Sequence, residues 1–326
     1  MKRVVFAWAI ASLVVAGGAL TFGQGNGNPF IDHSDTGETI HVLPAPAAIH
    51  SPHATQPSDA PAHSGASVFP PSYGSGDLLN HGGHQIPFAG FFAIYWNNAV
   101  ASSSGSQGQP NLRTEVQNFV GAFSNAADYS IITQYSAADT ISPVLAWAGD
   151  FVDSRAAQGS LSDSKVKSYI ASLFNSGTVT ADADTIYGVY FPSGMRITSQ
   201  GGSSCSAFCG YHGHFTYNGK DIKYAVFPYT DCRACSISGK AVADILTIVT
   251  SHEIREAVTD PDLNAWYDAA GYEADDKCAW HNLYQTVNGG FWVQPEFSNG
   301  GTVTASGFTQ TYPQASSGTG GCIVAR

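Results

Sequence analysis

Lys240-Ala241-Val242-Ala243-Asp244-Ile245-Leu246-Thr247-Ile248-Val249-Thr250-Ser251-His252-Glu253-Ile254-Arg255-Glu256-Ala257-Val258 is the longest helical pattern in the chain. Val242, Ile245, Leu246, Val249 and Ile254 recur at helical spacing and predict a core-facing stripe. Thr259-Asp260-Pro261-Asp262 follows and stops the helix. His252 and Glu256 are four residues apart, so their side chains share one helical face, one turn apart. An imidazole nitrogen and a carboxylate oxygen at that spacing make an acceptable zinc pair. Glu256, Asp260 and Asp262 also crowd a helix C-terminus, where the macrodipole disfavours negative charge; a bound cation would remove that penalty.

Glu253 directly follows the first candidate ligand. In zinc peptidases carrying His-Glu-x-x-His, the glutamate at that place is the general base. Here Glu256 replaces the second histidine, and the extra anionic ligand would weaken the metal as an electrophile. Three residues are alternatives for the third ligand. Asp276 lies in Glu273-Ala274-Asp275-Asp276, a downstream carboxylate placed as in thermolysin-like enzymes. Asp262 stands ten residues after His252, the spacing of the last ligand in the longer three-histidine motif, but the glycine and methionine turns of that class are missing. Glu273 is the third alternative. His212 and His214, in a Gly- and Cys-rich stretch read as a loop over 201–213, are further candidates.

Outward from this helix, the pattern predicts a mixed α/β fold. Strands are expected at 88–96, 129–135, 185–191 and 222–227. Helices are expected at 111–123 and after Ser162, where Val166, Tyr169, Ile170 and Leu173 share a face. The order of elements implies a single zincin-like domain over 86–326: a mixed twisted sheet, a long active-site helix and an irregular, disulfide-bearing C-terminal part. From 24 to 85 the composition shifts to Pro, Gly, Ser, Ala and His. With His33, His41, His50, His53, His63, His81 and His84 scattered without ligand spacing, this stretch reads as a flexible leader or pro-segment.

Residues 1–23 have the layout of a secretory signal: Lys2 and Arg3, an apolar run from Val4 to Leu20, then small residues. No later run is long enough to span a membrane. The cysteines are Cys205, Cys209, Cys232, Cys235, Cys278 and Cys322; an even number in an exported chain implies three disulfides, with fifteen possible pairings. A site of four thiolates at Cys205, Cys209, Cys232 and Cys235 is the weaker alternative. Of the 326 residues, 14 are Lys or Arg and 25 are Asp or Glu, giving a net charge of −11. That acidity, without a basic face, argues against nucleic-acid binding. Phosphate-loop, dinucleotide and serine-elbow motifs are absent.

Several segments together resemble the EXORDIUM or phosphate-induced protein family, known as secreted cell-wall proteins. They are Ser251-His252-Glu253 with Thr259-Asp260-Pro261, Asn264-Ala265-Trp266-Tyr267, Asp276-Lys277-Cys278 and Cys205-Ser206-Ala207-Phe208-Cys209-Gly210-Tyr211-His212-Gly213. Weaker similarities are Ile94-Tyr95-Trp96, Gly149-Asp150-Phe151-Val152-Asp153, Leu161-Ser162-Asp163 and Ile186-Tyr187-Gly188-Val189-Tyr190. The resemblance spans about Phe88 to Cys322 and implies export, an extracellular role and a disulfide-bearing α/β fold. It implies no settled reaction.

Two functions follow as expectations. The first is a secreted zinc-dependent hydrolase, a peptidase of zincin type, with one zinc per chain, Glu253 activating water, and a peptide or cell-wall polymer as substrate. The strand at 185–191 or at 222–227 would then be the edge that pairs with substrate backbone. The second is a non-catalytic extracellular wall- or glycan-binding protein with a structural metal. In that protein Trp266, Tyr267, Trp280, Tyr284, Phe291 and Trp292 either stack on sugars or pack the C-terminal part. The oligomeric state stays open.

Overall fold

The computed structural model describes residues 27–49, 57–60, 67–305, 308–312 and 320–325. The expected signal (1–23) and His50, His53 and His63 lie outside them.

Seven strands form one mixed sheet: β1 (Ile31–His33), β2 (Thr39–Pro44), β3 (Gly90–Tyr95), β4 (Ala146–Val152), β5 (Thr185–Tyr190), β6 (Phe208–Tyr217) and β7 (Lys220–Phe227). Their order across the sheet is β1-β2-β6-β7-β5-β3-β4. From β7 to β4 all neighbours run parallel; from β1 to β7 all run antiparallel.

Strand alternation sorts the core into two clusters, one on each side of the sheet. Tyr187, Val189, Tyr224 and Val226 pack against helix α2 (Asp163–Asn175), through Val166, Ile170 and Leu173. Ile186, Tyr190, Ala225 and Phe227 belong to the other cluster. It also takes in α1 (Leu112–Phe123) and α3 (Val242–Thr259). Helix α1 starts where the Asn111 side chain accepts from the Thr114 N–H at 2.9 Å, and it buries Leu112, Val116, Phe119, Val120 and Phe123. At the start of α3, the Asp244 carboxylate accepts the Ala241 N–H at 2.8 Å. An acid there also suits the positive end of the helix dipole.

Helix α3 is buried on every face from Ala243 to Thr259. On one side lies the sheet. On the other lies the C-terminal part, whose Trp280, Leu283, Tyr284, Phe291, Val293 and Phe297 share its core cluster. That part consists of short pieces: a three-stranded antiparallel sheet of Glu296–Ser298, Gly321–Val324 and Ser67–Phe69, and two-stranded ribbons. Gly210 sets how closely β6 approaches α3. A Cβ there would lie 2.4 Å from Val249 Cγ1 and 2.9 Å from Glu253 Oε1, so any side chain would push the strand off the helix.

The cysteines pair as Cys205–Cys232, Cys209–Cys235 and Cys278–Cys322, which removes the thiolate zinc site. The first two bonds tie the start of β6 to the turn ahead of α3. The third ties the turn at Asp276–Cys278 to Gly321–Val324.

Four sequence expectations change. Residues 129–135 are not a strand: Ala127–Ser130 is helical and Ile131–Tyr135 is a 3₁₀ turn. Tyr129, Ile131, Ile132, Thr133 and Tyr135 are all buried and all favour strands, so the local pattern could not distinguish the two. Part of the expected loop at 201–213 is β6, whose Gly210 and Gly213 read as turn signals but serve close packing. Strand β4 has no counterpart among the expected strands. Finally, 27–49 is no loose leader. It supplies β1 and β2, buries Phe30, Leu43 and Ala45, and its Asp35 accepts the Ser164 N–H at 2.8 Å at the start of α2.

Asp128 lies buried near this core, with Oδ1 on the Tyr129 N–H and no hydrogen-bond partner for Oδ2. Burial pushes its carboxyl up to about 6, against the pull of Arg255. Its folded state therefore binds the proton more tightly than the unfolded chain does. Stability falls as pH rises through the window from about 4 to 6, and the penalty is complete above it. Asp128→Asn is expected to stabilise the protein by about 2–3 kcal/mol at pH 7 and by little at pH 4. Urea midpoints at both pH values check this; equal gains would remove the charge as the cause.

Candidate metal centre

Four elements converge above the α3 face of the sheet. Helix α3 brings His252, Glu253 and Glu256. Strand β6 brings His212, on the opposite pleat from Tyr211. Strand β2 brings His41, directly across from His212 in the antiparallel register. The turn before Cys278 brings Glu273 and Asp276. All are at 0% exposure except His41, at 6%. The sequence offers Asp276 and Glu273 as alternatives, and the structure brings both to the cluster.

The distances are short. His252 Nε2 lies 3.0 Å from Glu256 Oε2 and 3.8 Å from Asp276 Oδ1. His212 Nδ1 lies 3.2 Å from Glu253 Oε2, and its Nε2 lies 3.7 Å from Glu273 Oε2. His41 Nδ1 lies 3.4 Å from Glu273 Oε1 and 3.6 Å from Asp276 Oδ2. Two backbone bonds fix the carboxylates: the Asp276 N–H donates to Glu256 Oε1, and the Glu273 N–H to Asp276 Oδ2, both at 2.9 Å.

Most of these contacts are not hydrogen bonds in direction. Among the described residues, His41 Nδ1, His212 Nε2 and both ring nitrogens of His252 have no hydrogen-bond partner. Nor do Glu253 Oε1, Glu256 Oε2, both Glu273 oxygens or Asp276 Oδ1. A buried polar atom without a partner costs about 1–3 kcal/mol, more when charged, so a concentration of them calls for a missing partner. Donors of both kinds face one another, and neutral imidazole with carboxylate is a donor set that divalent zinc accepts. The side chains present therefore fit a cation.

The electrostatics agree. Burial, then the neighbouring carboxylates, drives Glu253, Glu273 and Asp276 well above the usual carboxylate range; Glu256 rises for the same reasons, with Asp275 as its main neighbour. Burial holds His41 down to about 3 and also lowers His212 and His252. Neutral imidazoles offer their lone pairs, and four carboxylates in one dry space demand positive charge.

Around the cluster, other buried acids have cations or backbone donors beside them. Arg255 is fully buried and binds Asp275, with its Nε 3.0 Å from Asp275 Oδ2 and 2.8 Å from Glu296 Oε2. Lys277 is buried against Asp268 at 2.8 Å. Together with the Cys278–Cys322 bond, these two pairs hold the turn that presents Glu273 and Asp276. Asp260 Oδ1 accepts the Asn264 and Ala265 N–H groups at 2.6 Å each, while its Oδ2 has no hydrogen-bond partner and burial pushes its carboxyl up to about 6.

Asp262 does not join the cluster. It pairs with Lys223, beside Asp221 and His214, and the ammonium makes that group a poor cation site. His214 sits there, 3.0 Å from Asp221. The two strands expected at the edge, 185–191 and 222–227, are interior strands β5 and β7; the edges are β1 and β4. Trp280, Tyr284 and Phe291 are core residues, Trp292 lies under the Lys240 ammonium, and Tyr267 stacks on His81. Packing accounts for them. His41 escapes sequence reasoning as a site residue because its segment is compositionally a leader. Its one local signal is the alternation in Thr39-Ile40-His41-Val42-Leu43.

No helix among the described residues is long and apolar enough to cross a membrane. Comparison of the chain with protein families, with curated proteins and with solved structures found no match in any of the three.

Proposed function

We propose that the protein is an exported, metal-dependent hydrolase of zincin type, acting on peptide or a related wall polymer. The observation that carries the reading is the convergence of unpartnered buried donors on a helix reading His252-Glu253-x-x-Glu256, with Asp276 beside them. The cluster holds seven titratable side chains, whereas a purely structural zinc site needs four ligands. Three disulfides suit an oxidising compartment outside the cytoplasm.

His252, Glu256 and Asp276 would hold the cation. A bound divalent metal supplies Lewis acidity toward a scissile carbonyl. Glu253 keeps Oε2 on His212 Nδ1 and leaves Oε1 without a partner, so Oε1 would be the atom to take a proton and pass it on. Glu253→Gln is expected to keep the metal and lower turnover of a peptide library by about 10²-fold or more. Equal turnover removes Glu253 from the mechanism, and a metal-loaded wild type that cleaves nothing removes the hydrolase.

One observation favours the second reading, a non-catalytic wall-binding protein with a closed centre. The cluster is enclosed, and a cleft of about 740 Å³, lined by Glu38, Lys167 and His214 among others, touches none of its members. A catalytic metal keeps a position open. Binding to wall polymer without cleavage, by protein that contains metal, is the result that selects this reading.

A further inference from the structure

We propose that the cluster takes two divalent cations, bridged by Glu256. This rests on the reading above that the cluster binds metal, and it adds a second site built on His41 and His212.

The donors divide by the atoms they face. His252 Nε2 and Asp276 Oδ1 lie on one side of Glu256 Oε2, at 3.0 Å from it to His252 and 3.8 Å between His252 and Asp276. His41 Nδ1 and His212 Nε2 both turn to Glu273, one to each of its oxygens, at 3.4 and 3.7 Å. Glu256 belongs to both groups. Its donors lie within 4.8 Å of those of His252 and Asp276, and again within that distance of those of His41 and Glu273. Glu256 Oε1 is taken by the Asp276 N–H, and Oε2 has no hydrogen-bond partner, so Oε2 is the atom left to bridge.

His212 supports the second site independently. Its Nδ1 is engaged by Glu253 Oε2 at 3.2 Å, which leaves Nε2 as the ligating atom and fixes the ring toward Glu273. A carboxylate on the far nitrogen is the usual way a ligating histidine is oriented.

Glu253, Glu256, Glu273 and Asp276 are all at 0% exposure, so the two groups of donors share one dry space. Metal pairs about 3.5–4 Å apart recur in hydrolytic enzymes. Imidazole with carboxylate suits zinc, manganese, iron or cobalt.

The test is stoichiometry. The purified protein is stripped with chelator, dialysed, loaded with zinc, desalted and counted by elemental mass spectrometry; cobalt(II) absorbance gives an independent titration. Two zinc ions per chain are expected, and one in His41→Ala or Glu273→Gln, each checked by circular dichroism. One zinc in the wild type overturns the second site and leaves the hydrolase reading standing. None overturns both. Two zinc ions in the wild type and still two in both folded variants also overturns the proposal, because the second ion then sits elsewhere.

Discussion

Removal of divalent metal by a chelator is expected to lower the melting temperature by on the order of 10 °C, and zinc should restore it. A ligand that binds only the folded state, present at a thousand times its dissociation constant, adds about 4 kcal/mol. For a chain of this size each kcal/mol moves the midpoint by about 2–4 °C. The geometry gives a specific reason for the folded state to depend on an ion bound at the proposed centre. The Asp276 N–H holds the Glu256 carboxylate and the Glu273 N–H holds the Asp276 carboxylate, so these two cannot turn outward without breaking backbone bonds. Stripping the ion leaves them facing one another among side chains that offer no donors to most of their free atoms. Differential scanning calorimetry with and without chelator measures the effect. A superimposable pair of scans would mean that the cluster holds no metal.

Arg255→Met is expected to destabilise the fold by about 3–5 kcal/mol, the range for a buried ion pair that loses one partner. The guanidinium is fully buried, binds Asp275 and lies against Glu296, donates to the Gln294 carbonyl at 3.1 Å and rests over Phe123. Methionine keeps much of the volume and loses the charge, leaving Asp275 and Glu296 buried without a cation. Arg255→Lys should recover only part, since one ammonium cannot reproduce the planar fork. Because Asp275 precedes Asp276, the same variant should also weaken metal retention. Urea midpoints give the stability, and zinc retained after desalting gives the second effect. A stability within about 0.5 kcal/mol of wild type would show that the pair contributes nothing.

Much of the fold is readable because its signals are local. Val242, Ile245, Leu246 and Val249 define α3, Leu112 to Phe123 define α1, and the strands expected at 88–96 and 185–191 contain β3 and β5. The helix-borne part of the site is legible for the same reason: four-residue spacing is a statement about one helix face. Asp276 and Glu273 can be ranked only as downstream carboxylates, because what selects them is tertiary. Arg255 and Lys277 anchor their turn, while Lys223 draws Asp262 away. His212 is visible but reads as part of a loop, since Gly210 and Gly213 mimic turn chemistry when they in fact let β6 lie against its neighbours. His41 is beyond local reading altogether. Its role depends on β2 pairing with β6, some 170 residues on, and no short window carries that register.

That separation also sets a timetable. Chain leaves the ribosome, or emerges across a membrane, from the N-terminal end, and long-range pairings wait for both partners. His41 appears early; His252 and Glu256 follow only after more than 200 further residues, and Asp276 later still. Cys322, whose bond steadies the turn carrying Asp276, follows later again. No half-made chain can therefore trap an ion in the finished geometry. A metal held by the proposed centre would be acquired only once Asp276 and Cys322 are in place, in whichever compartment the chain folds, and the ion available there would decide which one is bound.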